Sequence, residues 1–363
     1  MSDMVTKDEA VTASEETTQP SRPLSSRDRI LAWRPSETVL RTIPLLLAII
    51  ALGIYTSANS PFFLTKQNMY NILQQISVLG LISIGMTLLM IAGLLDLSVG
   101  ALASFITVIG ARIAVDGRGA LVIALASLGI GLVAGGLTGG IVAYARVAPF
   151  ILTLGSMNVF ISLGLIFSSG TPIPVYNNPV QVLGLGTWFG VPASGIVFVA
   201  VLIFGALAIR YTRLVRNAFA LGANREAAFL AGISVTGTTI ALFALNGLMV
   251  GAAGIVLLGR LGAGDANGGV GLELQAIAAV VLGGASLSGG RGSMWGSFLG
   301  VVLLGEIANS LAILGIQAFY QQLVYGAVLM VAVVATALRE EGRFGLKGKL
   351  AAAVHAANRG RKD

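Results

Sequence analysis

Apolar residues dominate ten stretches of the chain, 42–58, 74–93, 97–115, 120–143, 149–168, 194–210, 236–258, 272–289, 294–314 and 320–338, with polar residues between them. A helix needs roughly 20 apolar residues to cross hydrocarbon about 30 Å thick, and these runs meet or approach that length. The pattern predicts an all-α fold, a polytopic transmembrane helical bundle of about ten spans. If the turn around Asp96 is re-entrant rather than a full hairpin, two spans shrink and the count falls to eight or nine.

Basic residues orient the bundle. Arg22, Arg27, Arg29, Arg34 and Arg41 precede the first run, Arg210, Arg213, Arg216 and Arg225 share one internal loop, and Arg339, Arg343, Lys347 and Lys349 follow the last run. Positive residues concentrate on the cytoplasmic side of membrane proteins, so both termini and that loop are expected inside. The chain then divides into a polar, disordered cytoplasmic tail over 1–41, a transmembrane domain over 42–338 with a cytoplasmic loop over 211–235, and a basic cytoplasmic tail over 339–363. The first 40 residues have no apolar core before a small-residue cleavage site, which is the pattern of a tail and not of a signal peptide.

Composition agrees and narrows the chemistry. The chain is 55% hydrophobic and 11% charged, with mean hydropathy +0.87, where soluble domains carry about 25% charged residues. It has no cysteine and one histidine, His355, in the C-terminal tail, which leaves little for metal or nucleophile chemistry. The net charge of +7 lies at the edges of apolar runs and forms no patch beside stacking aromatics, so nucleic acid is not an expected partner. There is no Gly-x-x-x-x-Gly-Lys-Ser/Thr motif and hence no P-loop.

The 48 glycines include stripes at helical spacing, Gly131, Gly135 and Gly139, then Gly292, Gly296 and Gly300, then Gly247 and Gly251. Small residues at that interval let helix backbones approach closely in lipid, either within the chain or at a dimer seam. The Gly93–Gly100 and Gly284–Gly290 segments echo one another, each joining two apolar runs through a small, polar turn.

Four segments carry candidate function. Arg216–Ile233 predicts a short capped helix between two spans: Asn224 accepts from free N–H groups of the first turn, Glu226 suits the positive helix end, and Gly232 stops the helix in the left-handed conformation. Arg225, Ala227, Ala228, Phe229 and Leu230 complete its surface, which either docks into a groove on a cytosolic partner or packs on its own membrane domain. Asp96, costly at mid-membrane by about 2.5–3.5 kcal/mol, either caps the following helix through Ser98 or Val99 or marks a broken helix on a solute path. In Gly283–Ser293, small residues permit irregular backbone and the hydroxyls of Ser286 and Ser288 can satisfy it. The outer loop 169–193, with four prolines, Tyr176 and Trp188, is either a docking surface for an external protein or an ordinary ordered loop. Within the spans, Asn158, Asn246, Gln275, Glu306, Asn309 and Gln317 are expected to face the bundle interior or a wet path.

At Gly93-Leu94-Leu95-Asp96-Leu97-Ser98-Val99-Gly100, at Ala278–Ser293, and at Gly222-Ala223-Asn224-Arg225-Glu226-Ala227-Ala228, the chain resembles the ribose-type sugar permeases, the membrane subunits of bacterial ABC importers for monosaccharides. The likeness runs over residues 62–338. It implies an inner-membrane protein, without catalysis or a cofactor of its own, that couples through Asn224–Ile233 to separate ATPase subunits holding ATP and Mg. It further implies a periplasmic solute-binding protein and a second permease copy or paralogue as partners. Leu94 stands where the family usually has glycine, and Ala231 where serine is common. Two rivals are weighed against this reading. An ion-coupled secondary transporter would need mid-membrane acids, of which only Asp96, Glu273 and Glu306 are near the spans. A membrane enzyme acting on lipid-linked sugar would need His and Asp/Glu clusters that the chain lacks.

Overall fold

A computed structural model describes residues 37–334, Asn177 and Ala318 excepted. The tails expected over 1–41 and 339–363 therefore lie outside the described residues, apart from 37–41, which open the first helix, and so do the last four residues of the tenth predicted span.

Helix α1 (Glu37–Asn59) carries Pro44 and exposes most of its apolar side chains. α2 (Lys66–Ile91) starts eight residues before the apolar run, because the Thr65 hydroxyl accepts from the Asn68 N–H and caps it. From Gln74 to Ile91 it is almost wholly buried, so it is the bundle's central element. α3 (Val99–Val115), α4 (Ala120–Ala145) and α5 (Pro149–Ser168) follow, the last with proline in its first turn, where the missing N–H costs nothing. After a loop containing α6 (Gln181–Leu185) come α7 (Ala193–Tyr211), the short α8 (Arg213–Ala223) and α9 (Arg225–Leu230), then α10 (Val235–Leu261), α11 (Leu272–Leu282), α12 (Met294–Ile313) and α13 (Phe319–Val334).

Seven of the described helices, α1, α2, α4, α5, α7, α10 and α12, are long and apolar enough to cross a membrane. Three apolar helices are shorter: α3, α11 and α13. The span expected over 272–289 is thus corrected to an 11-residue helix, about 16 Å long. Hydropathy alone ran past its end, since Ala285 and Leu287 are apolar, but Gly284 at φ +92° takes the chain out of the helix.

α3 and α11 both start partway along the bundle. Asp96, just before α3, bonds to Asn246 in the middle of α10. Gly100, in the first turn of α3, packs against Gly269 and Glu273 at the start of α11. From there α3 runs beside the second half of α10 while α11 runs the opposite way, toward the end of the bundle that carries α8 and α9. The interior of the bundle is therefore built partly from helices shorter than the long spans, α3 at 17 residues and α11 at 11, which both start at mid-depth.

The glycine stripes serve packing within the chain. A Cβ on Gly247 would lie 3.0 Å from Gly135 Cα and inside the contact distance of the Gly131 carbonyl, so α4 and α10 touch backbone to backbone. At the end opposite α9, two-residue antiparallel pairs tie the loops: β1 (Ile173–Pro174) with β4 (Ala263–Gly264), and β2 (Thr187–Trp188) with β3 (Val191–Pro192).

Candidate functional site

The foot of the bundle is built from local signals. Thr212 caps α8 by accepting from the Val215 N–H, and α8 buries Val215, Ala218 and Leu221 while leaving its arginines outside. Asn224 ends α8 and begins α9: its Oδ1 accepts from the Ala227 N–H at 2.9 Å. Glu226 lies in the first turn. α9 closes with two bonds, Gly232 N–H to Phe229 O at 2.9 Å and Ile233 N–H to Ala228 O at 3.0 Å, with Gly232 at φ +80°. That is the Schellman arrangement, which needs glycine at this position. Ala228 is buried and anchors α9, whereas Phe229 and Leu230 are 65% and 79% exposed. Beside them runs a groove of about 730 Å³ lined by Ala143, Arg146, Arg225, Phe229 and Val235 among others.

The three segments singled out in the sequence meet directly above this foot. The Gly290 N–H donates to the Ile91 carbonyl at 2.8 Å, joining the turn after α11 to the turn after α2. Gly222, in the last turn of α8, lies flat against that bond, since a Cβ there would overlap both Ile91 O and Gly290 N. Gly93 and Gly289 are in backbone contact as well. The last turn of α8 therefore meets the turns after α2 and α11 through backbone atoms.

Asp96 stands at the mid-depth break, 2% exposed. Its Oδ1 accepts from the Ser98 N–H at 2.9 Å and the Ser98 hydroxyl at 2.6 Å, and its Oδ2 accepts from Asn246 Nδ2 at 2.9 Å. The first pair forms a local turn that sets the start of α3. Asp96 thus shapes the turn that leads into α3, whose first capping residue is Ser98. Asn246 Oδ1 has no hydrogen-bond partner among the described residues.

The remaining candidates separate. Asn309 and Asn68 exchange bonds, Asn68 Nδ2 to Asn309 Oδ1 at 3.0 Å and Asn309 Nδ2 to Asn68 Oδ1 at 2.7 Å. Near this pair, the Thr56 hydroxyl donates to Ser310 Oγ at 2.8 Å. These are interhelical ties between α12 and its neighbours α1 and α2. Glu306 is buried beside Gly53, and its Oε2 has no partner among the described residues. Ser286 is buried, and its hydroxyl accepts from the Ser288 N–H, so Ser286 shapes the turn while Ser288 is exposed at its rim. Asn158 is a correction: it is exposed on α5 and donates to the Leu154 carbonyl, because the face of α5 that bears it points away from the bundle. Gln317 likewise is exposed, in the connection between α12 and α13. Gln275 is half-buried on α11. Sequence reasoning missed Asn68 and the contact role of Gly222. A lone glycine near a helix end has many uses, and Asn68 lay ahead of the apolar run. Among the described residues no group of three or more acidic or histidine side chains could hold a metal ion.

Seven helices long and apolar enough to cross a membrane, with three shorter apolar helices among the described residues, mark a multi-pass membrane protein. Residues 68–333 match the family described as branched-chain amino acid transport system, permease component. The ribose import permease protein RbsC of Bacillus subtilis is 37% identical over 297 residues, 81% of this chain and 92% of its own length. The Escherichia coli K12 protein of the same name is 38% identical over 296 residues, 79% of this chain and 91% of its own. The L-arabinose ABC transporter permease protein AraH of Azospirillum brasilense is 32% identical over 348 residues, 91% and 98%. No solved structure matches. This chain belongs to the ribose-type family of bacterial ABC importer permeases.

Proposed function

We propose that the chain is the membrane-spanning subunit of an ATP-driven importer for a monosaccharide or sugar-like solute. In this reading two permease subunits form the path, two cytosolic ATPase subunits bind ATP and Mg, and a periplasmic protein delivers the solute. Both termini and α9 lie on the cytoplasmic side, as the distribution of arginine suggests. The observation that carries the reading is the foot. α9 offers Phe229 and Leu230 to a partner while its anchor, Ala228, is buried, and the last turn of α8, which leads into it, bears on the turns after α2 and α11. Closure of the ATPase pair on ATP would move α9, and the packed backbone at Gly222 would carry that movement to the breaks, shifting the bundle between two states by differential binding of ATP. Asp96, Ser98, Asn246, Ser286 and Ser288 act in this reading as hinge and gating residues.

The test is the double variant Glu226→Lys with Phe229→Asp in the assembled transporter in proteoliposomes. Uptake should fall to background and the ATPase should no longer co-purify, while the protein inserts normally. Wild-type uptake in that variant, or uphill uptake by the permease with no ATPase present, overturns the reading. The latter result, if abolished by an ionophore, would identify an ion-coupled transporter instead.

A further inference from the structure

Of the polar side chains expected to face the interior or a wet path, Gln275 borders an open space. A cavity of about 360 Å³ lies between α2, α10, α11, α12 and α13. Gln75, Arg260, Gln275, Gln321 and Tyr325 contribute its polar lining, and Gln322 Nε2 and Gln275 Nε2 both approach Gly271 at its edge. All five lining side chains are partly buried, and none makes a side-chain hydrogen bond among the described residues. Polar groups in such a position pair with water or with a ligand, so three carboxamides, a guanidinium and a phenol around a single space make a concentrated polar lining.

The position of the cavity is as informative as its lining. Leu261 and Val270, at the end of the bundle opposite α9, are exposed on its rim, whereas Val78, Leu79 and Leu304 close it at mid-depth and are buried. Below that floor the core of α2 and α11 is packed through Leu81, Ile82 and Ile277. The cavity thus reaches from the far end to the middle of the bundle and stops there.

We infer that this cavity is an outer binding station for a neutral polyhydroxylated solute, in which Gln75, Gln275 and Gln321 supply paired donors and acceptors and Arg260 and Tyr325 complete the ring. Each carboxamide offers two donors and an acceptor, which matches vicinal hydroxyls that both give and accept hydrogen bonds. The volume equals about twelve waters at about 30 Å³ each, room for one monosaccharide. Three of the five are neutral carboxamides suited to hydroxyls, and the Arg260 guanidinium can donate to sugar oxygens as well. The solute class rests on the importer reading above; the existence of the station does not.

The cysteine-free chain gives a direct test in the full-length permease. Gln275→Cys and Gln321→Cys, each alone, are modified with a charged methanethiosulfonate reagent added from the periplasmic side, with and without saturating ribose, arabinose, glucose, sorbitol or gluconate. The station predicts modification of both positions and at least about fivefold slowing by one or more of the neutral compounds. Gln275→Leu and Gln321→Leu should each lower the uptake rate about tenfold, the worth of one or two lost hydrogen bonds, with the permease inserted at the wild-type level. No slowing by any neutral compound, or slowing by gluconate alone, overturns the proposal. Protection without any ATP-driven uptake in the wild type would keep the station and remove the importer reading.

Discussion

Replacing Gly222 with alanine would place a methyl carbon in the space now held by the Ile91 carbonyl and the Gly290 N–H. Both are backbone atoms joined by a 2.8 Å hydrogen bond, so neither can rotate away, and carbon contacts are comfortable only near about 3.5–4.0 Å. The junction would have to open by more than about 1 Å. Overpacking of this kind costs about 1–3 kcal/mol, and losing the hydrogen bond adds about 1 kcal/mol. A total of about 2–4 kcal/mol corresponds to roughly a 30- to 700-fold shift from the joined to the parted junction. The exposed side chains of Phe229 and Leu230 are not touched. In proteoliposomes holding the permease, ATPase and binding protein, Gly222→Ala should therefore retain the ATPase and its hydrolysis but lower solute moved per ATP by about tenfold or more, with a lowered Tm of the permease. A wild-type ratio of uptake to hydrolysis in this variant would show that movement of α9 does not pass through Gly222, and the transmission argument would fall.

Asp96→Asn should retain most transport and stability, because Asn Oδ1 can still accept from Ser98 and Asn246 can turn its unbonded Oδ1 toward the new amide; a stable but inactive Asp96→Asn would show that the charge itself is used. Asp96→Ala removes both acceptors and should cost about 2–4 kcal/mol, read as a drop in Tm. For the amide pair, Asn68→Leu and Asn309→Leu should each destabilise more than the double variant's excess over either, since a single change orphans a buried amide; strict additivity in the cycle would refute the coupling. Gly247→Ala should separate α4 from α10 and lower the Tm, by an amount set by overpacking of about 1–3 kcal/mol, and an unchanged Tm would show that the two backbones have room to part.

The positions of the long helices follow from hydropathy, because a segment of about 20 apolar residues reads as a membrane-spanning helix. The start of α9 at Asn224 and its stop at Gly232 were equally legible, since capping chemistry is local and involves residues three to five apart. Legibility failed where an apolar run hides a break. Residues 272–289 look continuous, yet Gly284 at φ +92° ends the helix at half length, and nothing in hydropathy reports backbone angle. It failed again at Asn158, whose polar side chain pointed to the interior by analogy with its neighbours but bonds to its own helix on an outward face.

By itself, then, the order of residues determined that this is a membrane-embedded helical protein with an arginine-rich side, a capped foot on that side, and glycine-lined helix contacts, since each depends on periodicity or on interactions within one turn. Only the tertiary structure decided that Asp96 is held by Asn246, 150 residues away, that the turns after α2 and α11 meet over Gly222, and that Gln75, Arg260, Gln275, Gln321 and Tyr325 share one cavity. Those groupings come from four or five separate helices, and which faces of them converge is set by backbone approach at glycines and by the rotation of each helix about its axis, which depend on the packing of the whole bundle.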